Sequence, residues 1–378
     1  MRTKGFPLSR SRFCRVTPWS LLLLACMLAV PAVRAQSSQH ELLSCGSTLA
    51  NVEILCGTNA PEDLEPTPDG NYLIVSQFAR LKDSDKGAGL ALYNIATKTF
   101  TPMPIQVTPE KSWGDPNCPG PIGDLLEPHG ISLNRRSDGT LELYVINHNS
   151  RDSMEMFELK PHWESWQLVW HGCEITPKEF NDVAVLPDGS FIASHPTSLM
   201  TDPHDEALRY SGKPIGTVVH WTRAHGEREL PGTRVGYPNG VVVSRDGRYM
   251  YLDAWTAREI HKYDLKKEKD VKVIKVPFMP DNLSWIGNSW EGANRLLAAG
   301  VMGVSGECPK GSGKQCVQQF GVVEIDPATM KFSMVYQSSG DAPLIAGASE
   351  ALQVKDVLYI GAYKGDRLVK IGLKNHRQ

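Results

Sequence analysis

Asn239-Gly240-Val241-Val242-Val243-Ser244-Arg245-Asp246-Gly247-Arg248-Tyr249-Met250-Tyr251-Leu252 decides the fold of this chain. A polar pair leads into an apolar run, Asp-Gly turns the backbone, and a second apolar run follows. β-Branched and aromatic residues favour extended strands, and Asp-Gly favours the tight reversal that joins two of them. The phrase recurs, opening at Glu62-Asp63-Leu64, His129-Gly130-Ile131, Asn181-Asp182-Val183, Asp281-Asn282-Leu283 and Ser349-Glu350-Ala351 as well, which makes six copies. Asp69-Gly70, Asp188-Gly189 and Asp246-Gly247 each fall seven residues after the first polar position; Asp138-Gly139 comes nine after it. A repeat of roughly 40–70 residues made of short strands is the signature of a radial array of sheets. The reading is an all-β, six-bladed β-propeller, one blade per copy.

Equivalent positions in such a repeat lie at equivalent distances from the central axis. The first polar column reads Glu62, His129, Asn181, Asn239, Asp281 and Ser349; the second adds Asp63, Asp182, Asn282 and Glu350. Each precedes the strand that lines the axis, so the side chains converge on one end of it. Unpaired buried carboxylates cost several kcal/mol each, and a hard cation resolves the conflict. Carboxylate and amide oxygens without Cys are the ligand set of Ca²⁺, which takes about 6–8 oxygens. A lone Asn or Asp is more simply a turn residue; register across the repeats favours the metal. His129 interrupts the ligand column, and His148 follows nineteen residues later, across a hairpin. A histidine beside a cation, its ring held by a second group, is the arrangement a general base needs. Two satisfied core histidines are the competing reading.

With 378 residues and a formal net charge of −2, the chain gives no sign of a nucleic-acid partner. The run Lys266 to Lys272 reads as a solvated surface loop. At the N-terminus, Arg2, Lys4, Arg10, Arg12 and Arg15 precede the apolar run Leu21 to Val33, and Val33-Arg34-Ala35 is an acceptable cleavage site. Residues 1–35 therefore read as a signal peptide, 36–46 as a flexible mature N-terminus and 47–378 as the propeller. The expected location is secreted or periplasmic, with membrane contact only if the leader is retained as an anchor. Six cysteines remain after cleavage and allow 15 pairings. Proximity favours Cys45–Cys56 and Cys308–Cys316, leaving Cys118–Cys173; no CxxC spacing suggests zinc. Thr48 to Cys56 is a candidate outer strand closing the ring against the last blade. Lys111 to Gly123, Ser194 to Gly212 and Gly303 to Cys316 read as long loops over one face.

Pro61-Glu62-Asp63-Leu64-Glu65, Pro128-His129-Gly130-Ile131-Ser132, Asn147-His148, Phe180-Asn181-Asp182, Asn239-Gly240 and Asp281-Asn282-Leu283-Ser284 resemble the motifs of the serum paraoxonase/arylesterase family. More broadly they resemble the gluconolactonase-like and strictosidine-synthase-like calcium propellers. The resemblance runs over roughly 60–375 and implies two axial Ca²⁺ ions with hydrolysis of lactones and aryl esters. Carried over by position, it implies a catalytic ion held by Glu62, Asn181, Asn239, Asp281 and Asn282. A structural ion would use Asp63, Asp182 and the carbonyl of Ile131, and His129 backed by His148 would be the base. The chain departs from the family in having no cysteine after Cys316 for a disulfide to the last strand. It also has Ala299-Gly300-Val301-Met302 where a family histidine is expected.

The function read from all this is an exported, Ca²⁺-dependent hydrolase acting on a small-molecule ester or lactone. The absence of G-x-S-x-G disfavours a serine mechanism. Trp113, Trp285 and Trp290 are candidates for an apolar wall, with blade packing as the alternative. A non-catalytic, calcium-stabilised binding module and a gluconolactonase or strictosidine-synthase-like activity remain as rival readings. These motifs encode no oligomeric state.

Overall fold

The computed structural model describes residues 42–78, 89–122, 126–196, 208–287, 294–303, 318–339 and 344–373. The segment read as a leader, Trp290 and the Cys308–Cys316 pair lie outside them. Regular structure among the described residues is organised as six sheets, four of four strands and two of five, antiparallel except where Ile105–Val107 pairs parallel with Ser165–Ile175. Their inner strands are Pro61–Pro66, Pro128–Arg135, Val183–Val185, Pro238–Val243, Met279–Trp285 and Ala348–Val354. Each packs against the next, and the sixth packs against the first, which closes a six-bladed propeller. The six sequence copies are the six blades.

The Asp-Gly turns show why the repeat was visible. Gly70, Gly139, Gly189 and Gly247 have φ of 64°, 93°, 80° and 65°, a region that favours glycine. The preceding Asp69, Asp138, Asp188 and Asp246 each accept a hydrogen bond from the backbone N–H two residues on. Four of the six copies thus carry their own Asp-Gly reversal.

Apolar side chains from facing sheets meet between the blades. Tyr144, Ile146, Met154 and Met156 of blade 2, for example, pack on Val183, Phe191, Val219 and Trp221 of blade 3. Ring closure is mixed. Val52–Cys56 pairs antiparallel with Arg367–Gly372, from Val52 opposite Ile371 to Cys56 opposite Arg367, so the sixth sheet joins both ends of the fold. This removes a free edge where the chain begins and ends. A disulfide ties Cys45 to Cys56, and a second ties Cys118 to Cys173 in blade 2. Both pairings are the expected ones.

One expectation fails. The lysine-rich run 266–272 is not a loop throughout: Lys269–Lys275 is the outermost strand of blade 4, paired with Glu259–Asp264. Val271 and Val273 alternate with lysines there, and the charged, exposed strand suits a sheet edge.

Candidate functional site

The polar pairs open five of the six inner strands by breaking their register. The pairing slips between Pro61 and Asp63, Pro128 and Ile131, Pro238 and Val241, Pro280 and Leu283, and Ala348 and Ala351. In blade 3 the ladder starts at Val183, immediately after Asn181-Asp182. A bulge sets two residues against one and re-aims their side chains, so neighbours in sequence no longer alternate across the sheet. Two glycines let the blades close at this level. A Cβ on Gly130 would lie 2.6 Å from Asp182 Cα, and one on Gly240 would lie 2.6 Å from Asn282 Cα.

Asp63 and Asp182 bind the blades together. Asp63 accepts from Leu64 N–H at 2.8 Å in its own blade and from Ile131 N–H at 2.6 Å in the next. Asp182 repeats this with Val183 N–H at 2.7 Å and Val241 N–H at 2.6 Å. Glu350, in the same column, is buried and hydrogen-bonds Asp63, but its Oε2 has no partner. Asp63, Asp182 and Glu350 line one axial cavity together with Glu65, Ser132, Asn134 and Ser284. Burial raises the Asp63 carboxyl to about 6, against the lowering effect of its backbone bonds. The carboxyls of Asp182 and Glu350 are pushed well above the usual range by burial first and by Asp63 second.

The upper level is different. Glu62, Asn181, Asn239, Asp281 and Asn282 are all buried. Asn239 donates to Asp281 Oδ1 at 2.7 Å, and Asn282 donates to Glu62 Oε1 at 2.9 Å. Their remaining oxygens have nothing to accept from: Glu62 Oε2, Asn181 Oδ1, Asn239 Oδ1 and Asn282 Oδ1 are buried without hydrogen-bond partners. Burial raises Asp281 to about 8 and drives Glu62 well above the usual carboxylate range, with Asp63, Asp281 and Asp182 adding repulsion. Unsatisfied buried acceptors cost about 1–3 kcal/mol each, so an array of four calls for a cation. The donor set, carboxylate and amide oxygen from four blades, fits Ca²⁺. At the lower level the oxygens of Asp182 retain one lone pair each beside their backbone bonds, and Asp63 keeps one beyond its bonds to Leu64, Ile131 and Glu350, which also fits an ion.

His129 and His148 come together beside this array. His129 Nδ1 lies 3.0 Å from His148 Nε2, and His129 Nε2 lies 3.9 Å from Glu62 Oε1. Phe78 stacks on the His129 ring at 4.1 Å and 11° and fixes its plane. Sequence reasoning missed the next member, Asp152, whose Oδ1 is 2.8 Å from His148 Nδ1. It follows His148 by four residues, a spacing that says nothing until the loop is folded. Asp253 was missed as well. It sits on the second strand of blade 4, fully buried, with both oxygens lacking hydrogen-bond partners. Its carboxyl is pushed well up by burial, then by Asp281 and Asp182. An acidic residue directly after the apolar run Tyr249-Met250-Tyr251-Leu252, still within the strand, was its one signal.

The tryptophan expectation changes. Trp113 is packed in the core between blades 2 and 3, and Trp285 belongs to an inner strand with its ring edge-on to Tyr251. Trp113 is blade packing, while Trp285 packs on Tyr251 and also lines the axial cavity beside Ser284. Near Asp281 stand instead the phenols of buried Tyr237 and half-buried Tyr363. Among the described residues, Cys45, Cys56 and Asp366 form one titratable trio close enough to chelate a metal, but its cysteines are disulfide-bonded. Asn282, formally a glycosylation acceptor, is 2 % exposed and inaccessible in the fold.

The arylesterase family model matches residues 120–291. Mouse serum paraoxonase/arylesterase 1 is 27 % identical over 256 residues, covering 64 % of this chain and 68 % of that protein. Human serum paraoxonase/lactonase 3 is 28 % identical over 169 residues, covering 43 % and 46 %. The chain thus spans about two thirds of the first relative and about half of the second. A gluconolactonase from Xanthomonas campestris superposes with a TM-score of 0.48 at 14 % identity, covering 85 % of this chain and 89 % of that one. Family model and relatives together show that the chain is similar to the paraoxonase/arylesterase family through its middle part.

Proposed function

We propose that the protein is an exported, Ca²⁺-dependent hydrolase of lactones and aryl esters. The observation that carries the reading is the buried array of four partnerless oxygens beside the His129–His148 pair. Glu62, Asn181, Asn239, Asp281 and Asn282 would hold a catalytic ion, and Asp63, Asp182 and the Ile131 carbonyl a structural one. A bound Ca²⁺ supplies Lewis-acid polarisation of the ester carbonyl and positive charge for the developing oxyanion. The chain's own residues do the rest. His129 Nε2 faces the array and accepts a proton from the attacking water; Phe78 and His148 hold the ring in plane and in rotation. The relatives' names, arylesterase and lactonase, support the substrate class. Two disulfides fit an oxidising compartment.

The test is to assay the mature protein against phenyl acetate and a panel of aliphatic and sugar lactones, with bound calcium counted before and after chelation. Turnover that disappears with the metal and returns with added Ca²⁺ is expected. A protein that binds Ca²⁺ but hydrolyses none of these would be a binding module. Turnover restricted to sugar lactones would favour the gluconolactonase-like reading.

A further inference from the structure

We propose that Asp152 is a positioning residue that sets the tautomers of both histidines and so directs the basic nitrogen of His129 into the axial site. A carboxylate only accepts hydrogen bonds, so at 2.8 Å from Asp152 Oδ1 the proton of His148 resides on Nδ1. Neutral His148 then presents Nε2 as an acceptor. That atom is 3.0 Å from His129 Nδ1, which must donate. The lone pair of neutral His129 is left on Nε2, the nitrogen on the Glu62 side. Reversing either ring would set a lone pair against the carboxylate, or one lone pair against the other.

The loop that carries the two partners is itself held. The side chain of Asn147, fully buried, donates to the carbonyls of Asn149 at 3.0 Å and Arg151 at 2.8 Å and accepts from Glu127 N–H at 3.0 Å. Ser150 turns the chain with φ of 63°. Thr176 N–H anchors the carbonyl of Asp152 itself. His148 and Asp152 are thereby placed before any substrate arrives. On the proposed hydrolysis, the attacking water gives its proton to His129 Nε2 while its oxygen pair bonds the carbonyl carbon. The resulting imidazolium faces Asp152 through His148, and the proton later leaves with the departing alkoxide or phenoxide.

The consequence for turnover rests on the hydrolase reading; the tautomers do not. The experiment uses the full mature chain loaded with Ca²⁺, with ¹⁵N-histidine spectra assigned through His129→Gln and His148→Gln. Wild type should show both rings protonated on Nδ1. Asp152→Ala, and the isosteric Asp152→Asn whose amide can donate to His148, should mix or reverse that pattern. They should lower kcat by about 10–100-fold, the usual loss for a removed orienting partner, with KM changed less than about twofold. Asp152→Glu should restore part of both readouts. Unchanged tautomers in Asp152→Ala would overturn the proposal, whatever the rate does, and so would unchanged kcat with altered tautomers. Wild type that hydrolyses neither esters nor lactones sinks the functional reading alone, because the spectra still report on Asp152.

Discussion

The two levels of the axis are built from adjacent residues of the same repeat and come to opposite ends. In Asp63 and Asp182 every carboxylate oxygen accepts a backbone N–H, one from its own blade and one from the next. In Glu62, Asn181, Asn239 and Asn282 an oxygen of each side chain is buried with nothing to accept from. The first set replaces the ladder bonds that a bulge destroys and joins blade to blade, so it is architecture. The second set also bonds between blades, Asn239 to Asp281 and Asn282 to Glu62, yet keeps buried acceptors that the proposed cation would satisfy. In blades 1 and 3 one residue of separation divides the two sets; in blade 5 Asp281 and Asn282 both belong to the second, and Glu350 of the lower level keeps one partnerless oxygen.

Breaking the upper level should show first in rate. His129→Gln is expected to lower turnover of phenyl acetate by roughly 10²–10⁴, the range for a lost general base. Asp281→Ala should cost roughly 10²–10³ at limiting Ca²⁺, comparable to losing an oxyanion donor. Each should lower the melting temperature of the ion-free protein less than loss of Asp182 does, because Asp281 gives up one side-chain bond between blades, from Asn239, and His129 one ring contact, with Phe78. Full activity in both variants would place the chemistry elsewhere.

The lower level should fail in stability instead. Asp182→Ala orphans the N–H groups of Val183 and Val241 across a blade interface. A loss of about 3 kcal/mol is expected, which lowers the melting temperature by roughly 4 °C in a domain of this size. If Asp182→Ala and Asn181→Ala melt alike without calcium, the division between levels is wrong.

How much of this the sequence discloses follows from the range of the interactions. The blades were legible because strand, Asp-Gly turn and strand are local, and Gly70, Gly189 and Gly247 need a conformation that glycine alone adopts easily. The polar columns were legible because the repeat puts them in phase. Asp152 and Asp253 were not, since each acquires its meaning from groups that only the fold brings near: the His148 ring in one case, Asp281 across a blade interface in the other. Lys269–Lys275 misled because an edge strand and a solvated loop have the same charge pattern.

A titration sharpens the comparison further. With no cation, burial holds Asp281 at about 8 and Asp63 at about 6, above the usual carboxylate range of the unfolded chain. Between these limits the folded state retains protons that the unfolded state has released, so stability must fall as pH rises. The contribution is fully present below the unfolded pKa and is lost through the folded ones. Ion-free protein should thus melt roughly 5 °C lower at pH 8 than at pH 5. Calcium, which displaces those protons, should bind more tightly as pH rises and flatten the trend. A melting temperature that rises with pH in the ion-free protein would contradict the carboxylate assignment.

The smallest effect concerns Asp253, which belongs to neither level. It is fully buried, its oxygens have no partners, and Asp281 and Asp182 are the charges that raise its carboxyl further. If it is only a buried acid kept protonated by its surroundings, Asp253→Asn preserves its shape and removes the ionisation it resists. The variant should then melt about 1–2 °C higher than wild type at pH 8 without calcium, a gain of about 1 kcal/mol, and no higher at pH 5. Its calcium response should equal that of the wild type. The opposite result is equally informative. A variant that is no more stable at pH 8 and that loses calcium affinity would mean that Asp253 turns an oxygen to the ion, extending the upper level to the second strand of blade 4. Calcium titrations followed by melting at the two pH values separate the outcomes, because a carboxylate that only suffers burial is relieved by the amide, whereas one that serves a cation is missed.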